Sequence, residues 1–201
     1  VLSPVALKIL KKRYLKKNQF GKLESPEDLF SRVASVAAQV EKHYHPELTP
    51  IELQKVAKSF YQIMLRLDFL PNSPTLMNAG KGLNQLAACF VLPIEDSISS
   101  IFTTVKNAAL IHKSGGETGF DFSKIRPKNS IVHTTGGLAS GPVSFIKVFD
   151  AATTAIKQGG TRMGANMAVL RIDHPDIFEF IEAKKKHGEL SNFNLSVGIT
   201  N

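Results

Sequence analysis

Cys89 is the only cysteine among 201 residues. One thiol cannot form a disulfide within the chain, so a reducing, cytoplasmic setting is expected. No apolar run approaches the ~20 residues that cross a bilayer. No secretory signal is visible, because Ser3-Pro4 leads into a basic helical pattern. The six histidines are scattered, without His-x3-His or Cys-x2-Cys spacing, and no metal site is expected. The P-loop pattern is absent. No glycine run follows a strand and opens a helix, as a dinucleotide fingerprint requires. There is no internal repeat and no low-complexity tract. The chain starts at Val1 and ends at Asn201 directly after a strand-like run, so both ends are expected to be cuts.

What is present begins with charge. The net charge is +8, concentrated in Lys8, Lys11, Lys12, Arg13, Lys16 and Lys17, and in Lys184, Lys185 and Lys186. Such runs are solvated helix faces or attractors of polyanions. Aromatic residues are not interleaved with them, so no nucleic-acid partner is expected.

The first seventy residues read as helices. Ser3-Pro4 opens one, with Ser as cap and Pro in the first turn. Ser25-Pro-Glu-Asp28 opens a second with a capping box that uses Asp. Its apolar face is Leu29, Phe30, Val33, Val36, Ala37 and Val40. Thr49-Pro-Ile-Glu52 opens a third with a full box and an apolar stripe of Ile51, Val56, Phe60, Ile63, Met64 and Leu67. From about residue 70, strands alternate with helices. Strands are predicted at 86–92, 119–123, 166–172 and 193–199. Helices are predicted at 97–113, 142–157 and 174–187, the last capped by Asp173. Alternation of this kind argues for α/β architecture with parallel pairing. The expected domains are 1–69, all helical, and 70–201, α/β, divided near Asp68–Pro71.

Three glycine-rich stretches lie within fifty residues: Ser114–Gly119, Thr134–Gly141 and Lys157–Gly164. Glycine lets backbone N–H groups approach a phosphate, and Arg126, Lys128, Lys157 and Arg162 lie nearby in sequence. A phosphorylated ligand is therefore expected. Cys89 sits in the apolar run Leu86–Leu92, read as a buried strand, behind the polar segment Asn72–Gly80. An active-site corner and ordinary core both fit that pattern. Glu95-Asp96 precedes a helix and fits a capping role. His174, before Pro175, fits a cap or surface position.

Read together, these segments resemble the large catalytic chain of ribonucleotide reductase, most closely its adenosylcobalamin-dependent class. The resemblance is carried by Asn72–Gly80, Ala88-Cys-Phe-Val-Leu-Pro-Ile-Glu-Asp-Ser-Ile98, Thr118–Pro127, Thr135–Val143 and Gln158–Leu170, and it runs over nearly the whole chain. It implies an N-terminal helical domain followed by the first part of a ten-stranded α/β barrel. The implied activity replaces the ribose 2′-hydroxyl of a ribonucleoside di- or triphosphate by hydrogen. A thiyl radical removes the 3′-hydrogen, and a cysteine pair then reduces the ribose and becomes a disulfide.

By the same resemblance, Cys89 is the first cysteine of that pair. Ser73, Ala88, Cys89, Gly116 and Gly119 approach the substrate. Asp96, Ser97, Ile98, Arg126 and Lys128 match positions that hold a deoxynucleotide effector. Gln158, Gly159, Gly160 and Arg162 match the loop that relays effector identity to substrate choice. The family commonly has a third glycine where this chain has Glu117, and a basic residue where it has Met163. The implied partners are a ribonucleotide substrate, a deoxynucleoside triphosphate effector, a thioredoxin-type reductant and a second copy in a homodimer. The implied cofactor is adenosylcobalamin. In the family, the radical cysteine, the second reducing cysteine and the main cobalamin contacts lie downstream, so the chain alone is expected to be inactive. Two other readings are separable. A catalytically dead nucleotide-binding regulator predicts a natural end near residue 201. A basic interaction domain predicts steeply salt-dependent binding to DNA or RNA.

Overall fold

The computed structural model describes residues 2–17, 20–82, 84–134, 136–156, 164–185 and 188–201. They form two compact units, Val1–Ala88 and Cys89–Asn201. The division expected near residue 70 falls inside the first unit.

The first unit is built from α1 (Pro4–Arg13), α2 (Pro26–Ala38), α3 (Glu41–Tyr44), α4 (Pro50–Leu65) and α5 (Ser73–Asn78). The expected caps form. Ser25 Oγ accepts from Asp28 N at 3.1 Å, and Asp28 Oδ2 accepts from Ser25 N at 2.9 Å. Thr49 and Glu52 reciprocate in the same way. α2 is the core helix: Leu29, Phe30, Val33 and Ala34 are buried with Met64, Leu76 and Ala79. The α4 stripe is narrower than its sequence suggests, since Leu53 and Met64 are its buried residues while Ile51 is exposed. Leu67 leaves the stripe because it ends the helix in the left-handed region, at φ 62°, which turns its side chain outward. α5 was expected as a polar loop. Asn72 caps it by accepting from Thr75 N at 2.9 Å, and Pro74 sits in its first turn.

The second unit is a parallel sheet with connecting helices. Its strands are β1 (Cys89–Leu92), β2 (Glu117–Asp121), β5 (Asn166–Arg171) and β6 (Phe193–Gly198), side by side in the order β1-β2-β5-β6. α6 (Ile98–Lys113) joins β1 to β2. α7 (Pro142–Ala155) lies between β2 and β5, and α8 (Ile177–Glu182) between β5 and β6. A small antiparallel hairpin, β3 (Ile131–Val132) with β4 (Gly137–Leu138), precedes α7; the sequence had suggested only a loop. Side chains alternate across the sheet. Phe120, Ala168, Leu170 and Phe193 enter a core with Ile101, Ile146, Phe149 and Phe180. Phe120 and Phe149 lie 4.6 Å apart between ring centroids.

Three expectations are corrected here. β1 is an edge strand, not a buried one. Cys89 and Val91 are exposed and Phe90 and Leu92 half-buried, because one side of β1 has no strand neighbour among the described residues. α8 is shorter than 174–187, and Asp173 does not cap it. Asp173 instead makes a two-pronged pair with Arg171, at 3.0 and 2.5 Å. His174 is buried, not superficial: its Nδ1 accepts from Asp176 N, and its Nε2 lies 2.9 Å from the Ile125 carbonyl. No described helix is long and apolar enough to cross a membrane.

Candidate functional site

In unit two, the strand registers align Cys89 with Glu117, Thr118 with Asn166, and Asn166 with Phe193. The strand starts therefore share one end of the sheet. The loops after β1 and β2 share the other end, where open α/β sheets offer ligands a crevice.

At that second end lies a cavity of about 500 Å³. Its floor is Asp96, Ser97 and Ile98, at the start of α6. Arg126, Val132, Leu138, Gly141 and Phe145 complete the wall. Ser97 is the cap of α6, accepting from Ser100 N at 3.1 Å. Glu95 turns away and pairs with Lys124. Asp96 pairs with Arg126, Nε to Oδ2, at 2.6 Å, and also accepts from Arg126 N at 3.3 Å. Both side chains are about one-third exposed, at 37% for Arg126 and 33% for Asp96, so the pair contributes about 0–1 kcal/mol. Gly141 has φ 78°, and a Cβ there would stand 2.8 Å from Asp176 Oδ2 and 2.9 Å from Lys128 Cβ. Only glycine fits where this loop enters α7.

The structure thus gathers four of the five residues matched to effector binding. Lys128 is the exception. Its backbone N–H donates to Asp176 Oδ2 at 2.8 Å, and its Nζ reaches Glu179 at 3.2 Å, so it faces α8. Val132, Leu138 and Phe145, which give the cavity its apolar wall, were missed by the sequence reading. Val132 and Leu138 flank the glycine pair 136–137, and Phe145 lies in the first turns of α7.

At the first end, Cys89 and Glu117 point to the same sheet face, with Sγ 3.5 Å from Oε2. Gly119 and Met167 follow on that face, and Gly119 leaves it open beside Val91, its partner. Gly116 is buried, and its carbonyl faces the His112 ring at 3.1 Å. Gln158, Gly159, Gly160 and Arg162 lie outside the described residues.

Ser73 and Ala88 belong to the first unit. Ser73 Oγ is 2.9 Å from the Tyr14 hydroxyl. The turn that follows α5 is held by cations: Arg32 Nη1 donates to Ala79 O at 2.6 Å, and Lys16 Nζ to Gly80 O at 3.2 Å. Burial first, then the Arg32 charge, holds Lys16 below the ordinary lysine value. Arg32 is neutralised in turn by Glu24 at 2.6 Å.

Residues 1–84 match the family model described as "Ribonucleotide reductase, all-alpha domain", and residues 87–201 match "Ribonucleotide reductase, barrel domain". The chain is 46% identical to a vitamin B12-dependent ribonucleoside-diphosphate reductase of Thermoplasma acidophilum, over 97% of its own length and 32% of the relative's. It is 47% identical to an enzyme of the same name from Mycobacterium tuberculosis, over 99% of its length and 28% of the relative's. A ribonucleoside-diphosphate reductase subunit alpha of Helicobacter pylori is 33% identical, with 92% of this chain and 22% of the relative covered. The chain spans about a third or less of these relatives. It belongs to the ribonucleotide reductase family, carrying the all-alpha domain and sequence of the barrel domain.

Proposed function

We propose that this chain is part of the catalytic chain of a ribonucleotide reductase that makes deoxyribonucleotides in the cytoplasm. The observation that carries the reading is the in-order match to two domains of one family, with Cys89 at the exposed start of the first barrel strand. A reducing thiol must be reachable by substrate on one occasion and by an external dithiol on another, and an exposed edge position allows both. Ser73, Ala88, Cys89, Gly116 and Gly119 are assigned to the substrate side, and Gln158, Gly159, Gly160 and Arg162 to the specificity loop.

The cavity at Asp96 is assigned to a deoxynucleoside triphosphate effector. Its volume suits a small ligand. The free N–H groups at the start of α6 favour phosphate, Arg126 adds a guanidinium, and Ile98, Val132, Leu138 and Phe145 offer an apolar wall to sugar and base. The Asp96 carboxylate can accept from a sugar hydroxyl.

The B12-dependent relatives suggest adenosylcobalamin, which supplies radical chemistry when bound. The cavity at Asp96 does not fit that group. The cavity of about 500 Å³ is too small for a corrin ring with its nucleotide arm. Cobalamin contacts, the radical cysteine and the second reducing cysteine are assigned to other parts of the protein.

The test uses the complete protein, supplied with adenosylcobalamin, a ribonucleoside di- or triphosphate and a thioredoxin-type reductant. Deoxyribonucleotide formation is expected. Cys89→Ser is expected to abolish multiple turnover while leaving nucleotide binding intact. Sustained turnover by that variant would remove Cys89 from the reducing pair.

A further inference from the structure

α6 and α7 both reach from the cavity to the opposite end of the sheet. Ile98 and Gly141, at their N-terminal ends, line the cavity. His112 and Thr153 lie near their C-terminal ends. At ~1.5 Å per residue, α6 separates the cavity from His112 by roughly 20 Å.

At that far end, four polar side chains from four elements are sealed away from water. His112 is 1% exposed, Thr118 and Asn166 3%, and Thr153 5%. Burial of this kind is costly unless the groups bond one another. Nδ1 of His112 lies 3.1 Å from the Gly116 carbonyl. Nε2 lies 3.0 Å from Asn166 Oδ1 and 3.2 Å from Thr118 Oγ1. The Asn166 amide is oriented by donating from Nδ2 to Thr153 Oγ1 at 2.9 Å, and the Thr153 hydroxyl donates to Phe149 O at 2.8 Å. Gly164 closes over the group. A Cβ there would stand 2.6 Å from Thr153 Cγ2 and 3.3 Å from His112 Nδ1.

We infer that His112 is a positioning residue that joins the cavity to the Cys89 strand. The inference rests on the reading of the cavity as an effector site and of Cys89 as a reducing thiol. A hydrogen-bonded helix moves as a unit, so a ligand at the start of α6 displaces the ring at its end. The ring holds the Gly116 carbonyl. The next residue, Glu117, is the register partner of Cys89. Through Asn166 and Thr153 the same ring also meets α7, the second helix that rims the cavity. The joint has two halves, one toward Gly116 and one toward Asn166.

Two substitutions separate those halves in the complete protein. An asparagine amide nitrogen stands close to the place of Nδ1, so His112→Asn keeps the Gly116 half. A glutamine amide nitrogen stands close to Nε2, so His112→Gln keeps the Asn166 half. The readout is kcat/KM for a ribonucleotide with and without saturating deoxynucleoside triphosphate. Calorimetry supplies the Kd of that nucleotide in the absence of substrate. Both variants are expected to lose about fivefold or more of the activation ratio, with Kd within about twofold of the parent. Thr118→Val, which keeps shape and removes one hydroxyl, is expected to shift the ratio in the same direction by less, and it decides the matter if the histidine variants do not fold. An unchanged ratio in a folded variant would overturn the inference. So would a loss of ratio that merely accompanies loss of nucleotide binding. A parent protein that reduces no ribonucleotide would instead sink the functional reading, and this inference with it.

Discussion

Ser25 and Asp28, three positions apart, close a capping box in the helical unit. Thr118 and Asn166, 48 positions apart, share a buried hydrogen bond of 2.7 Å in the α/β unit. In the first unit the starts of the main helices are set by signals that act within one turn of chain. The second depends on strand registers and a polar cluster assembled from α6, β2, β5 and α7. The difference bears on the proposed function, because both candidate sites of the α/β unit are built from residues distant in sequence. Asp96 and Arg126 meet across thirty positions, and Cys89 and Glu117 across twenty-eight.

Substitutions can break this contrast, beginning with the non-local core. Phe120→Ala removes a ring packed on Phe122, Phe149 and Phe193. It is expected to cost about 3–5 kcal/mol in denaturant unfolding. Arg126→Ala removes the guanidinium at the cavity. In the complete protein, calorimetry should show deoxynucleoside triphosphate binding weakened roughly tenfold or more, as expected when a charge-assisted hydrogen bond is lost. Gly164→Ala drives a methyl into the buried Thr153 side chain and should cost about 1–3 kcal/mol by overpacking. An unchanged midpoint would mean that this segment yields freely. Ser25→Ala, a local change, should cost about 1 kcal/mol and leave the α/β unit's transition where it was.

The smallest effect concerns pH. The Ser25 backbone N–H, then its hydroxyl, holds Asp28 below the ordinary carboxylate value. The Thr49 hydroxyl, then its N–H, does the same for Glu52. A carboxylate lowered in the folded state stabilises above its unfolded value and ceases to do so as pH falls through the folded one. The helical unit should therefore lose stability below about pH 4. Asp28→Asn with Glu52→Gln should flatten that slope, and an unaltered slope would assign acid sensitivity elsewhere.

Legibility in the sequence follows the same division. Caps at Ser3, Ser25 and Thr49 could be read because a cap and its partner lie within one turn. The α/β alternation was readable because β2, β5 and β6 carry short stretches with apolar residues between helical periods. The exposure of Cys89 was not readable, since an apolar strand looks the same at an edge as in the middle; only pairing order decides. Lys128 was placed by the family resemblance, but the turn at Asn129, at φ 66°, follows a backbone already fixed to Asp176. The buried polar cluster around His112 was invisible. A histidine at the end of a helix gives no hint that Thr118 and Asn166 will close around it. α5 could have been recognised from Asn72 followed by Pro74 in a first turn.

The parallel pairing of β2 with β5 has a consequence for how the protein is made. Phe120 and Phe122 leave the ribosome well before β5 exists to cover them. With 48 positions between register partners, synthesis at about 5–20 residues per second leaves that aromatic pair waiting roughly 2–10 s. The helical unit, already complete upstream, needs no such wait. Stalled nascent chains whose last emerged residue lies between 122 and 166 should therefore be the ones that recruit chaperones.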